Sequence, residues 1–328
     1  MEDQKTSILK ILKKAEGDAV SGEHIGTVLK ISRTMVWKHI KLLQKQGYPI
    51  CSKPKLGYSL EYTPDNLYAE NLLSELETEI LGKKIVYYKE TNSTNDVAKK
   101  IANIEKEGTV IVSETQKKGR GRMGKVWYSD LGGMWLSVIL KPRTSIVNSS
   151  RITLISGIAV ARTIRSFGLD ASIKWPNDIL INGKKVCGIL TEIGAELDQL
   201  EFVVVGIGIN VNNDIQDLGD EELRKNSTTL KKELGYPIKK IDLFRVLLNN
   251  LDQYYIKFKS QPFQSILQEW TELSDTIGKE VSISAPNMSI VGKAINITER
   301  GSLVVQTKDS GTQEVIAGRC NYETKQRK

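Results

Sequence analysis

The spacing of apolar residues changes along the chain and divides it into three stretches. In residues 1–64, apolar positions recur at helical spacing in three patterns, and two short strand-like runs follow. In residues 65–270, apolar strand-like runs alternate with helical patterns, which is typical of a sheet covered by helices. Residues 271–328 contain four short strand-like runs separated by glycines and polar turns. We therefore predict an α+β protein of three domains with these boundaries, comprising a small helical domain, a central α/β domain with a mixed sheet, and an SH3-like β-barrel.

The third helical pattern has two faces of opposite character. Val36, Ile40 and Leu43 form an apolar stripe, while lysines project from roughly the opposite side. Ser32 is placed to cap this helix, and only a short turn separates it from the second helix. With a basic turn at residues 53–55 between the two strand-like runs, the pattern predicts a winged helix-turn-helix domain that binds DNA. A solvated lysine face on a protein-binding module is the alternative. The candidate DNA contacts are Ser32, Arg33, Thr34, Trp37, Lys38, Lys41 and Lys45.

The distribution of charge supports contact with a polyanion. The formal net charge is +8, and residues 1–64 contribute +5 of it, from 11 Lys and Arg against 6 Asp and Glu. The remaining 36 basic and 33 acidic residues contribute +3. A basic small domain beside a nearly balanced larger region favours nucleic-acid binding by the first domain.

The segment Gln116–Trp127 is crowded with glycines and cations. Its spacing matches parts of three motifs, namely the dinucleotide fingerprint, the P-loop and the kinase glycine loop. A P-loop needs a hydroxyl where Val126 stands, both nucleotide folds need a helix next, and the later kinase tripeptides do not occur. Glycines nevertheless let backbone N–H groups approach a phosphate, and Arg and Lys neutralise its charge. We predict an anion-binding loop of another kind; a flexible basic surface loop is the alternative.

Two further groups of polar residues are candidates for chemistry. The run Glu90–Asp96 lies between a strand and a helix, where it can hold a small polar ligand, although Ser93 or Thr94 also serves as a helix cap. Asp178 and Lys185 flank an Asn-Gly turn, so they are expected on paired strands and on one face of the sheet. The alternatives are a simple turn carboxylate and an exposed hairpin lysine.

Composition limits the chemistry that is available. The chain has 2 histidines, His24 and His39, so chemistry beyond the first domain is expected to use other groups. Its 3 cysteines are far apart and odd in number, which predicts reduced thiols in a cytoplasmic protein without a zinc site. The polar N-terminus predicts no signal peptide, and no apolar run approaches a membrane span of about 20 residues.

Taken in order, these motifs resemble those of the bifunctional biotin–protein ligases that double as biotin-operon repressors. The resemblance covers nearly the whole chain. It is carried by the winged helix-turn-helix ending in Gly57–Leu60, by residues 93–95, by Gln116 with residues 119–122, by residues 174–178, by Lys185 with residues 188–190, and by Gly206, Gly208 and Asn210. The resemblance implies a central domain like that of class II synthetases.

The resemblance also implies a reaction and its participants. Biotin attacks the α-phosphate of MgATP to give biotinyl-5′-AMP, and a lysine of the biotin carboxyl carrier protein then displaces AMP. It implies catalytic roles for Lys185, Arg122 and Asp178; biotin contacts from Ser93, Thr94, Asn95, Gln116, Arg120, Gly121, Arg122 and Lys185; and nucleotide contacts from Lys125, Trp127, Asn177 and Asn210. Asp178 can orient Lys185, hold Mg²⁺, or accept a proton from the incoming lysine. Operator DNA and a second copy of the chain, in a homodimer, are the other implied partners.

Two alternatives remain at the level of sequence. The first is a biotin–protein ligase whose helix-turn-helix has no role on DNA. The second is a lipoate or octanoate transferase, which uses the same fold. The glycine-arginine loop and the run Lys174–Asp178 favour biotin, whereas Met123 and Lys125 depart from the loop pattern that is common in the family.

Overall fold

The computed structural model describes residues 3–196, 199–215, 220–285, 288–308 and 311–322. The chain divides into two units, one of Met1–Glu77 with Lys239–Arg245 and one of Thr78–Ile238 with Val246–Lys328. The three-domain boundaries at residues 64 and 270 stay predictions. Among the described residues, no helix is both long and apolar enough to cross a bilayer.

Helices with side-chain caps build the first unit. They are α1 (Gln4–Lys14), α2 (Gly22–Leu29) and α3 (Arg33–Lys45), followed by the antiparallel strands β1 (Ile50–Lys53) and β2 (Gly57–Leu60) and by the short helix α4 (Ala69–Leu73). Ser21 caps α2 and Ser32 caps α3, each by accepting a backbone N–H with its side chain. Val36, Ile40 and Leu43 are buried with the apolar face of α1, so the predicted stripe faces the core. The winged helix-turn-helix architecture is confirmed.

A seven-stranded sheet organises the second unit. Its strands are β3 (Ile85–Thr91), β4 (Val110–Gln116), β5 (Met134–Leu140), β6 (Ala171–Lys174), β7 (Asp178–Ile181), β8 (Lys184–Glu196) and β9 (Gln199–Ile209). Their order is β3-β4-β5-β9-β8-β7-β6, with β3 and β4 parallel and the other neighbours antiparallel. Every residue of β5 is buried, as its unbroken apolar run predicts. The mixed sheet is confirmed.

The helices that follow or interrupt these strands along the chain are α5 (Thr94–Ile101), α6 (Ser149–Ser166), α7 (Glu221–Asn226), α8 (Leu230–Leu234), α9 (Lys240–Ser260) and α10 (Phe263–Leu273). Of these, α5 and α6 each pack against several strands of the sheet. Ala98 of α5 packs against Ile111, Ile139 and Val204 of the sheet. This packing fixes the N-terminal end of α5 beside the ends of β3 and β4, where the polar run Glu90–Asp96 lies.

The apolar run Ile173–Ile181 has the sequence pattern of one strand interrupted by residues 175–178, but the structure forms two antiparallel strands, β6 and β7, joined by a turn at residues 175–177. The Trp175–Pro176 peptide in this turn is cis. The polar segment 212–232 has a composition that predicts a long loop or a weak helix, and its described part contains the short helix α7 and the start of α8. Residues 216–219 of that segment lie outside the described ranges.

A second sheet closes the second unit. It contains β10 (Glu280–Ala285), β11 (Met288–Ile297), β12 (Leu303–Thr307), β13 (Gly311–Val315) and β14 (Arg319–Tyr322), in the order β13-β12-β11-β10-β14. All neighbouring strands are antiparallel. The β-rich C-terminal region is confirmed, and β14 is an additional strand that the sequence pattern did not indicate.

Candidate functional site

A buried polar corner lies where α5 begins. Ser93 caps the helix, because its Oγ accepts a hydrogen bond from the backbone N–H of Asp96 at 3.4 Å. The side chains of Ser93, Thr94 and Asn95 are all buried. Gln116, at the end of β4, reaches this corner and accepts a hydrogen bond from the backbone N–H of Thr94 at 2.8 Å. The fold therefore brings Gln116 to residues 93–95, although the two motifs are separate along the chain.

Two glycines of β9 lie beneath the site and leave room for its side chains. A Cβ atom on Gly206 would lie 2.1 Å from Oδ1 of Asn95, and one on Gly208 would lie 2.4 Å from Nε1 of Trp127. Both distances are shorter than any Cβ contact can be. The glycine pattern of β9 thus reflects close approach by Asn95 and Trp127.

The anion loop, residues 116–129, folds back on itself as a hairpin extension. The N–H of Gln116 donates to the carbonyl of Ser129 at 3.0 Å, and that of Trp127 donates to Gly119 at 2.9 Å. Nearer the tip, the N–H of Gly121 donates to the carbonyl of Lys125 at 2.7 Å. The tip is a short 3-10 turn in which Met123 has a φ of 56°. The loop therefore forms a hydrogen-bonded hairpin extension of the sheet, and anion binding by it stays a prediction.

Arg120 is held by carboxylates. One of its guanidinium nitrogens lies 2.5 Å from Oδ1 of Asp96 and 3.3 Å from Oε2 of Glu192. Because Asp96 lies on α5 and Glu192 on β8, this arginine connects the anion loop to both elements. Contact between Arg120 or Gly121 and biotin stays a prediction.

Arg122 points toward the turn between β6 and β7. Its guanidinium donates to Oδ1 of Asn177 at 3.2 Å, and the amide of Asn177 donates to the carbonyl of Ile189 at 2.7 Å. Burial lowers the pKa of Arg122, although the nearby charge of Asp178 opposes the shift. A partly buried guanidinium of this kind is poised to receive an anion, because little water competes for it.

Lys185 and Asp178 form an ion pair across the β7–β8 hairpin. The Nζ atom of Lys185 lies 2.6 Å from Oδ1 of Asp178 and 5.1 Å from the centre of the Trp127 ring. The expectation that both residues share one face of the sheet is confirmed. Trp127 also packs edge-on against Trp135, with ring centres 6.4 Å apart. The anion loop and the hairpin therefore meet at Lys185.

Two further cations lie near this place, Lys125 of the anion loop and Arg319 of β14. Burial lowers the pKa of Lys125, and the positive charges of Arg319 and Lys185 lower it further. Mutual repulsion of this kind is relieved when a polyanion binds between the cations. Arg319 belongs to β14 and was not a predicted site residue. The sequence offered only a loose family match at residues 318–320, and β14 itself was not predicted.

Asn210 has a structural role in this arrangement. Its side-chain amide donates to the carbonyl of Thr228 at 3.2 Å, and its Oδ1 accepts from Asn213 at 3.3 Å. These bonds fasten the end of β9 to the segment before α8. Nucleotide contact by Asn210 stays a prediction.

Sequence reasoning also missed Glu192 and Ser137. Ser137, on β5, places its Oγ 2.7 Å from Oγ1 of Thr94 and 2.6 Å from Oδ1 of Asn95. Glu192 accepts from Asn95 at 2.8 Å and from Lys99 at 2.7 Å. Each is a single polar residue in an otherwise β-forming run, which was the available signal.

The candidate DNA contacts lie on the exposed side of α3 or at its start. Side chains of Arg33, Thr34, Trp37 and the three lysines are exposed, and Trp37 retains 50% of its accessible surface. Ser32 is the helix cap, since its Oγ accepts from the N–H of Met35 at 3.2 Å. The cationic face of α3 is therefore not packed against the core of its own unit.

Within the described ranges, no group of three or more His, Cys, Asp or Glu side chains could hold a metal ion. Mg²⁺ often binds through one or two carboxylates together with substrate phosphates. Asp178 therefore fits a Mg²⁺ ion that arrives with a nucleotide, whereas the described residues form no independent metal cage.

Three family models match the chain. The biotin/lipoate A/B protein ligase family covers residues 87–210, an HTH domain covers residues 4–59, and the biotin protein ligase C-terminal domain covers residues 276–321. The first match includes the polar corner, the anion loop and the Lys185–Asp178 pair. It does not by itself separate biotin ligases from lipoate ligases.

Matches to individual proteins distinguish biotin ligases from lipoate ligases. The bifunctional ligase/repressor BirA of Bacillus subtilis is 36% identical over 305 residues, which are 92% of this chain and 94% of that protein. BirA of Escherichia coli is 27% identical over 308 residues, 93% of this chain and 94% of that protein. The solved structure of the Aquifex aeolicus biotin protein ligase in complex with biotin and ATP matches with a TM-score of 0.63 and 28% identity, covering 74% of this chain and 99% of that one. The chain therefore belongs to the family of bifunctional biotin–protein ligases and repressors.

Proposed function

We propose that this chain activates biotin with ATP and transfers it to a lysine of a biotin carboxyl carrier protein. The observation that carries the proposal is the junction of the buried polar corner at Thr94 and Gln116 with the cations Arg122 and Lys185, joined through one loop. This arrangement suits a ligand that has a small polar group at one end and, at the other end, a carboxylate that reacts with a phosphate.

In the first step, the carboxylate oxygen of biotin attacks the α-phosphorus of ATP, and the bond to the β-phosphate oxygen breaks to release pyrophosphate. Both reactants are anions, so their repulsion must be offset. Arg122 and Lys185 supply positive charge at this point, and Asp178 orients the Nζ atom of Lys185. Lys125 and Arg319 add cations for the remaining phosphates.

In the second step, the amino group of the carrier lysine attacks the acyl carbon of biotinyl-5′-AMP, and AMP leaves with the electrons of the acyl–phosphate bond. The incoming ammonium must lose a proton, and Asp178 is the carboxylate next to the reacting groups. Trp127 lies over Lys185 and covers the intermediate against water. Mg²⁺ would be held by Asp178 and the phosphates and would supply neutralising charge.

We also propose that the N-terminal unit binds operator DNA. The exposed lysines of α3, the cap at Ser32 and the antiparallel wing support binding in a major groove of operator DNA. A homodimer would place two such helices on two half-sites. We place the protein in the cytoplasm, in keeping with its free cysteines Cys51, Cys187 and Cys320.

The ligase assay tests the proposal directly. Purified chain is incubated with ATP, Mg²⁺, labelled biotin and a carrier domain, and the transferred label and released pyrophosphate are measured. Labelled lipoate in a parallel reaction is the control. Transfer of lipoate without transfer of biotin would replace the proposal with a lipoate transferase. Operator binding with and without biotin and ATP then tests the repressor role.

A further inference from the structure

Lys174 lies directly opposite Asp178 on the paired strands β6 and β7. Residues opposite each other in an antiparallel pair project from the same face of the sheet, with Cβ atoms about 5 Å apart. A lysine ammonium in this position ordinarily pairs with the carboxylate. Asp178 instead forms its ion pair with Lys185, at 2.6 Å, and no ion pair joins it to Lys174. Another group must therefore hold the ammonium of Lys174.

The aromatic ring of Tyr322, on β14, is that group. The Nζ atom of Lys174 lies 4.4 Å from the centre of this ring. A second ammonium, that of Lys279, lies 4.3 Å from the same centre and is also paired with Asp275 at 2.8 Å. Among the described residues, no carboxylate pairs with Lys174. The cation–π contact with Tyr322 is therefore what keeps its ammonium in place.

The C-terminal sheet fixes the ring of Tyr322. The backbone of Tyr322 pairs with Val281 of β10, and its hydroxyl lies 3.3 Å from Oγ1 of Thr276, whose side chain is buried. A cation–π contact at a partly buried tyrosine is at least as strong as an ion pair between partly exposed side chains. The ring can therefore hold the ammonium of Lys174 against the attraction of Asp178.

Competition for Asp178 matters because this carboxylate orients Lys185. The Nζ atom of Lys185 lies 5.1 Å from the centre of the Trp127 ring, where the anion loop meets the hairpin. A second ammonium on the same carboxylate would repel that of Lys185 and weaken its attraction to Asp178. Lys185 would then lose the fixed position from which it stabilises charge on the reacting phosphate.

We propose that Tyr322 is a positioning residue that holds Lys174 away from Asp178 and so reserves this carboxylate for Lys185. The inference rests on the proposed function and deepens it, because it gives a residue of the C-terminal sheet a role in the first half-reaction. Tyr322 exerts this role through Lys174 and not by contact with the reactants.

Tyr322→Leu removes the ring and releases Lys174. In biotin-dependent pyrophosphate exchange we expect kcat to fall about tenfold, while the KM values for biotin and ATP change less than about threefold. Tyr322→Phe keeps the face of the ring and should retain kcat within about twofold of wild type. A loss in Tyr322→Phe as large as that in Tyr322→Leu would overturn the inference, because the hydroxyl and not the ring would then be responsible.

Removal of the competing ammonium should restore activity. We expect Lys174→Met alone to change kcat less than about twofold, and Lys174→Met combined with Tyr322→Leu to return kcat to within about threefold of wild type. Lys279→Met is the matched control, since it removes the other ammonium over the same ring and should restore nothing when combined with Tyr322→Leu. A purely structural role of Tyr322 predicts the full loss in both double variants, and that result would contradict the inference.

Fluorinated phenylalanines at position 322 test the same contact if Tyr322→Leu fails to fold. Each fluorine withdraws electron density from the face of the ring and weakens its attraction for an ammonium, with little change in shape. We expect kcat to fall stepwise as fluorines are added. Equal kcat across the series would refute the inference.

The activity of the wild-type chain separates this inference from the proposed function. A wild-type chain that shows no biotin-dependent exchange would overturn both together. Wild-type exchange with an unchanged kcat in a folded Tyr322→Leu variant would overturn the inference alone.

Discussion

The Nζ atom of Lys185 lies 2.6 Å from Oδ1 of Asp178, and the two residues belong to neighbouring strands of one hairpin. A β-bulge between Ile179 and Leu180 shifts the register there, so that Leu180 pairs with Lys185 while Asp178 pairs with Gly188. The ion pair therefore crosses the hairpin diagonally. This geometry directs the ammonium toward Trp127 and the anion loop.

Removal of this ammonium should abolish the first half-reaction. We expect Lys185→Ala to reduce pyrophosphate release at least about 100-fold, because charge stabilisation at the reacting phosphate is lost. Lys184→Ala, an exposed lysine next to it on β8, is the matched control and should retain activity. Circular dichroism should show an intact fold in both. Near-normal pyrophosphate release from Lys185→Ala would contradict the role given to this residue.

The lysines of α3 should account for much of the salt dependence of DNA binding. We expect replacement of Lys38, Lys41 and Lys45 by alanine to weaken operator binding and to reduce the slope of log K against log salt by about three, if each meets one phosphate. The measurement is a gel shift at several salt concentrations. The control is a triple alanine variant at three exposed lysines of the second unit: Lys100, Lys106 and Lys293. Equal slopes in both variants would argue against a DNA-binding face on α3.

A methyl group on the floor of the site should displace Trp127. A Cβ atom at position 208 would lie 2.4 Å from Nε1 of that ring, so Gly208→Ala forces the ring to move. We expect the KM for ATP to rise about tenfold or more, since a displaced aromatic ring no longer covers the intermediate. Gly157→Ala on α6 is the control, because its Cβ meets Ile173 at an ordinary 3.6 Å. Unchanged kinetics in Gly208→Ala would show that the position of Trp127 is unimportant.

The depressed pKa of Glu192 predicts a dependence of stability on acidity. A carboxyl whose folded pKa is lowered stabilises the fold above its unfolded pKa, near the ordinary value of 4.5, and the stabilisation is lost as pH falls through the lower folded value. We expect the difference in free energy of unfolding between wild type and Glu192→Gln to be constant near neutral pH and to shrink below about pH 4.5. Denaturant titrations at several pH values measure it. A difference that stays constant through the acidic range would contradict the assignment.

The sequence supported those parts of the site that depend on local geometry. Lys185 and Asp178 were expected to share a face because an Asn-Gly turn sets the register of the hairpin between them. Ser32 was recognisable as a cap from its position before a helical pattern. In these cases the spacing along the chain is itself the structural constraint.

Other parts depend on which strands become neighbours, and spacing does not contain that information. Glu192 reaches Asn95 because β8 lies beside β9, which in turn lies beneath α5. Arg319 approaches Lys125 only through β14, whose four residues are too few to give a clear alternation. The reversal of the chain at residues 175–177 is not visible in the pattern, because β-forming residues continue on both sides of it.

Backbone hydrogen bonds within the anion loop allow its opening to be measured by hydrogen exchange. The amide hydrogens of Gln116, Trp127 and Gly121 are each held by a carbonyl of the same loop, at successive distances from the sheet. Their exchange with solvent deuterium therefore reports how far the loop unfastens, from its tip toward β4. If an activated intermediate escapes only when the loop opens, the slowest of these opening rates sets an upper limit on its escape rate, and hence a lower limit on its lifetime, in the absence of a carrier. The lifetime of the intermediate then depends on local unfolding of the loop and not on the global free energy of unfolding.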